Sequence, residues 1–170
     1  MTVAELNALP EKAAAAALDR CCGAEAWIEG MLASRPYRDR AHLLQCAGET
    51  WHGLRRSAQL GAFAHHPRIG DHEAMRRRFA GASDWAAGEQ RGAAEASPAL
   101  LDRLAEGNRS YEEKFGYIFI VRAAGRSAED MLALLETRLG NDPEREWSVA
   151  SEEHAGITRL RLEKLLSEDP

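Results

Sequence analysis

A chain of 170 residues with 45% hydrophobic and 29% charged side chains is long enough to bury a core and too apolar to be disordered. Its formal charge of -5 argues against a general nucleic-acid binder. No apolar run approaches membrane-spanning length, and Met1-Thr2-Val3-Ala4-Glu5 lacks the basic and apolar blocks of a signal peptide. Three cysteines, Cys21, Cys22 and Cys46, match no disulfide framework or metal motif, so a reduced, cytoplasmic protein is expected. Val and Ile are scarce beside Ala, Leu, Arg and Glu, which favours helix.

In chain order the pattern predicts a string of helices. Thr2 to Leu9 reads as a short amphipathic segment, and Pro10 can open the next helix, Glu11 to Cys22, which ends near Gly23. Ala24 to Ser34 carries a stripe of Trp27, Ile28, Met31 and Leu32. One long helix is expected from Asp39 to Ser57, with Leu43, Leu44, Cys46, Ala47 and Trp51 on or near one face. A helix from Asp71 to Ala80 follows, its Arg76-Arg77-Arg78 run a solvated face. Ser83 or Asp84 caps another to about Arg91, a loop runs from Gly92 to Pro98, and Ala99 to Phe115 forms a charged helix.

Then Gly116-Tyr117-Ile118-Phe119-Ile120-Val121 breaks the pattern. This β-branched and aromatic run reads as a buried extended segment with no sheet to join. Its backbone groups must therefore meet side chains, helix ends or a ligand. Continuation of a core helix is the alternative. Ser127-Ala128-Glu129-Asp130 opens the next helix as an imperfect capping box, with Gly140-Asn141 closing it. Pro143 suits the first turn of a last helix to about 167, broken once at most. The sum is an all-α fold: a single compact helical domain over 1–170, with about eight helices and one short extended buried segment.

Three places invite chemistry. In Ala64-His65-His66-Pro67-Arg68-Ile69-Gly70-Asp71, the Pro67 ring disfavours the α region for His66. Gly70 permits a turn and Asp71 can cap a helix, so His66 would stand in a fixed, non-repeating position between helices. An ordinary helix-to-helix connector has the same form. In the last helix, Arg161 falls within the arc of Ile157, Leu160, Leu162, Leu165 and Leu166. A guanidinium on a core-facing stripe meets an anion or snorkels out, so it is either a structural ion pair or a fork for a planar, anionic substrate. Glu89-Gln90 is a surface pair by default; beside His66, its carboxylate would favour the charged imidazole and suit a proton donor.

The combination His66-Pro67-Arg68-Ile69-Gly70, Glu89-Gln90, Asn108-x-x-Tyr111, Phe115-Gly116-Tyr117-Ile118-Phe119-Ile120, Gly125-Arg126-Ser127 and Ile157-x-x-Leu160-Arg161-Leu162 resembles the family of 2-oxo-4-hydroxy-4-carboxy-5-ureidoimidazoline (OHCU) decarboxylases. These act in the conversion of urate to S-allantoin. The resemblance spans nearly the whole chain with its motifs in order. It implies an all-helical decarboxylase that needs no cofactor and no metal, takes a small-molecule ureidoimidazoline substrate, and forms a homodimer with no nucleic-acid or membrane partner. Residue by residue, it implies that His66 is the catalytic proton donor. Pro67, Glu89, Gln90 and the backbone of Ile118, Phe119 and Ile120, continuing to Arg122, match ligand-binding positions, and Arg161 matches the arginine that meets the substrate. One departure stands out: Ala86 replaces the serine usual three residues before the Glu-Gln pair, so one substrate hydrogen bond is missing or comes from Ser83 or water.

Such a substrate carries its own conjugated C=N and C=O groups as an electron sink, leaving the protein to orient the carboxylate and protonate one face. Two rival classes remain. A metal hydrolase would use His65, His66, His72, Asp71 or Glu89, but no His-Glu-x-x-His spacing is present. A non-catalytic helical interaction module would bind partners and leave the substrate's decay unchanged.

Overall fold

In the computed structural model, the described residues are 1–66 and 97–167. They contain eight helices and no strand: α1 (Val3–Ala8), α2 (Glu11–Asp19), α3 (Glu25–Ala33), α4 (Arg40–Gly53), α5 (Arg56–Phe63), α6 (Pro98–Phe115), α7 (Ala128–Leu139) and α8 (Pro143–Ser167). The all-α expectation holds. The expected helix 71–80, the caps Ser83 and Asp84 with the helix they open, and Pro67, His72, Ala86, Glu89 and Gln90 lie outside the described residues. The chain divides into two units, Met1–His65 with Ala155–Pro170, and His66–His154; α8 contributes to both.

The first unit starts with a reciprocal cap. Glu5 N–H donates to the Thr2 hydroxyl at 3.0 Å, and Thr2 N–H to the Glu5 carboxylate at 2.8 Å. Leu6, Leu18, Trp27, Met31, Leu43, Trp51 and Phe63 are buried, so the apolar stripes read from the sequence do face a core. The Trp27 indole donates to the Ala47 carbonyl at 3.0 Å, which resolves the polar end of a buried aromatic. Gly30 lies so near α4 that a Cβ there would stand 2.5 Å from Thr50 Cγ2. The N-terminal ammonium donates to the Leu165 carbonyl at 2.9 Å.

Two boundaries differ from expectation here. The predicted helix 39–57 is two helices, because Leu54 turns extended at φ −70° and ψ 146°. The break is held by Gln59, whose amide donates to the Trp51 carbonyl at 2.9 Å and so replaces helical pairing lost there. Second, α2 stops at Asp19, leaving Cys21 and Cys22 in the turn beyond it.

The second unit is built on α6, α7 and the first half of α8. Ser97 caps α6, accepting from Leu100 N–H at 3.3 Å, with Pro98 in the first turn. Gly116 ends the helix at φ 80°, a left-handed conformation that favours glycine. Ser127 and Asp130 form a complete capping box, despite Asp at the acidic position. Gly140 ends α7 in the right-handed region, so no left-handed cap is used there. The last helix runs unbroken for 25 residues.

Candidate active site

Helix α5 ends in a turn, with His65 N–H donating to the Ala62 carbonyl at 3.0 Å. The exposed His65 ring lies against Gly23: a Cβ on Gly23 would stand 2.8 Å from His65 Cγ. The His66 ring is half-buried in the second unit. It meets the ring of His154 edge to face, with centroids 5.0 Å apart and planes at 79°. His154 is fully buried on α8.

The run after Gly116 is neither helix nor strand, and it is largely buried, as expected. Tyr117, Phe119, Ile120 and Val121 are buried and Ile118 half-buried, with no ladder partner. Two of its backbone groups are met by side chains. The Ile120 carbonyl accepts from Arg138 Nη1 at 2.8 Å, and Arg122 N–H donates to Glu153 Oε2 at 2.6 Å. The Arg138 guanidinium also lies over the Phe119 ring, 4.6 Å from its centroid. Phe119 in turn meets Tyr111 edge to face at 5.2 Å.

Arg138 is itself buried and paired with the fully buried Glu146: Nη2 and Nε reach Oε1 at 2.5 and 2.8 Å. Asn141 donates to the other carboxylate oxygen at 2.7 Å, and the Tyr111 hydroxyl donates to Oε1. Burial, with the carboxylate beside it, raises the Tyr111 phenol far above its ordinary range. This network ties α6, α7 and α8 to the segment after Gly116. A fork that satisfies a carboxylate, a carbonyl and an aromatic face at once is a role for arginine and not lysine.

Arg161 belongs to the first unit and is half-buried. It stands near Cys22, whose thiol burial pushes up to about 11 against the opposing pull of that positive charge. On the outer side of the helix, Arg159 pairs with Glu163 at 3.1 Å. The structure therefore brings His66 and the segment 118–121 into one unit, with Arg161 in the other, and Pro67, Glu89 and Gln90 lie outside the described residues.

Sequence reasoning missed Arg138, Glu146 and His154. A signal was present: Glu146, Ala150, His154 and Ile157 recur at steps of four, four and three, and all four are buried, a single helical stripe. Reading only its apolar members hid the two polar ones.

Residues 7–163 match the sequence profile of the OHCU decarboxylases. Fold and motif order thus define the class, and the chain belongs to the OHCU decarboxylase family. It is 34% identical over 151 residues to the uric acid degradation bifunctional protein TTL of Arabidopsis thaliana, covering 87% of this chain and 46% of that protein. The chain thus spans about half the length of that relative. It is 31% identical to the 2-oxo-4-hydroxy-4-carboxy-5-ureidoimidazoline decarboxylase of Amia calva, over 78% of this chain and 75% of that one. Among solved structures, an OHCU decarboxylase crystallised in the presence of (S)-allantoin superposes with a TM-score of 0.74 at 32% identity, covering 88% of this chain and 96% of that one. An (S)-allantoin synthase shares the fold at a TM-score of 0.73 and 20% identity, over 98% of this chain and 54% of that one.

Proposed function

We propose that this chain decarboxylates 2-oxo-4-hydroxy-4-carboxy-5-ureidoimidazoline in urate breakdown, yielding S-allantoin and CO2. The observation that carries the reading is the family match over residues 7–163, which spans every residue assigned a role. The bond from ring carbon to carboxylate breaks, CO2 departs, and the electron pair enters the substrate's conjugated C=N and C=O system. A proton then reaches one face of the ring from His66. No cofactor or metal enters these steps.

Glu89 holds and polarises the His66 imidazole, so that the charged form is favoured before transfer. Arg161 and the backbone of Ile118, Phe119 and Ile120 orient the departing carboxylate, with Pro67 and Gln90 completing the ligand contacts. The hold of Arg138 on the Ile120 carbonyl supports this reading, because it fixes the backbone that must meet the ring. A homodimer in the cytoplasm completes the proposal. The test is to generate the intermediate enzymatically from urate, add the purified chain, and follow allantoin optically. Accelerated formation of optically pure S-allantoin is expected; decay at the spontaneous rate to racemate would overturn the reading.

A further inference from the structure

We infer that His154 is a positioning residue for the proton transfer: its buried ring sets the plane of the His66 imidazole and thereby the face of the substrate that is protonated. The inference rests on the reading of His66 as donor. An imidazole N–H lies in the ring plane, so whatever fixes that plane fixes the direction of proton delivery. His66 follows a turn rather than standing inside a helix, and its half-buried side chain has two torsions to restrain. Among the described residues the His154 ring faces it, edge to face at 5.0 Å and 79°, a favoured aromatic arrangement.

His154 is suited to act as a fixed surface. It is fully buried, in the middle of the 25-residue α8. Two turns earlier on the same stripe, Glu146 is locked by Arg138, Asn141 and Tyr111. The helix therefore cannot roll to carry the ring away without breaking a buried ion pair. A group delivered to a planar carbanion from a misaligned ring loses both rate and facial selectivity, and a misplacement of about 1 Å can cost on the order of 10²-fold.

The experiment compares His154→Ala, His154→Phe and His66→Asn on intermediate generated enzymatically from urate. It measures kcat, KM and the enantiomeric excess of the allantoin formed, corrected for spontaneous decay and for folded fraction by circular dichroism. Loss of the ring in His154→Ala is expected to lower kcat by about 10²-fold with KM little changed, and to lower the enantiomeric excess. His154→Phe, which restores a planar face, is expected to recover most of both. Should His154→Ala not fold, His154→Leu fills the volume without a planar face and takes its place in the comparison. Wild-type kcat and enantiomeric excess in the ring-less variant, or a phenylalanine variant as impaired as it, would overturn the inference. If His66→Asn itself retains full turnover, the donor reading fails, and this inference with it. If His66→Asn is impaired while the ring-less variant is not, this inference alone fails.

Discussion

The ring of His65 is exposed and lies against Gly23, whereas that of His66 is half-buried against His154. That difference sets an expectation for each. His66→Asn should reduce turnover by about 10²–10⁴-fold, the usual contribution of general acid catalysis. His65→Asn should stay near wild type, since the side chain it alters is exposed and lies against Gly23. Steady-state assays of the two, with folding checked by circular dichroism, decide the matter; a more damaging His65 variant would remove His66 as donor. Arg161 calls for a different substitution. Arg161→Lys keeps the charge and loses the planar fork, so KM should rise with the fold intact, and unchanged kinetics would favour a structural role.

At the scale of elements, the segment 118–121 depends on a neighbour rather than on a sheet. Arg138→Met would leave Glu146 buried without its guanidinium and the Ile120 carbonyl without its donor. Breaking one side of such a pair costs about 3–5 kcal/mol, and urea unfolding should show a loss of that size. Adding Glu146→Leu should recover part of it, because an apolar pair has no uncompensated charge to bury.

Helix caps set a second expectation. The Ser127 backbone and side-chain hydrogen bonds hold the Asp130 carboxyl below its ordinary 3.8. Backbone N–H groups, Arg145 first, do the same for Asp142. A carboxyl lowered by folding stabilises the fold above its unfolded value and loses that contribution as pH falls through the folded one. Stability should therefore decline as pH drops below about 3.8. Ser127→Ala should cost about 1 kcal/mol at neutral pH and flatten the Asp130 part of that acid limb, read from thermal midpoints across pH.

For the whole molecule, no described helix is long and apolar enough to cross a membrane. Among the described residues no group of three or more His, Cys, Asp and Glu side chains is placed to hold a metal ion. All three cysteines are buried and none forms a disulfide. On the proposed chemistry, dialysis against EDTA should leave turnover unchanged, measured beside elemental analysis of the protein. Stoichiometric zinc whose removal abolishes activity would instead revive the metal-hydrolase reading, and loss of all turnover in every preparation would favour the interaction module.

What the sequence by itself determined was local. The caps of Thr2 with Glu5, Asp39 with His42 and Ser127 with Asp130 each close over three residues, so they are written in neighbouring letters. The same holds for the left-handed stop at Gly116 and for the isolation of the run 117–121, whose β-branched and aromatic letters contrast with the helices around it. Family membership was legible because its motifs are short and keep their order along the chain. Only the tertiary structure decided which polar side chains are buried and what satisfies them. Arg138 meets a carbonyl 18 residues away, and Tyr111 a carboxylate 35 residues away. The end of α4 depends on an amide eight residues beyond the Trp51 carbonyl it meets, and His154 becomes informative only when α8 is laid beside His66. A buried polar group is tolerated only with partners in place, and those partners are set by the folding of distant segments, not by spacing along one of them.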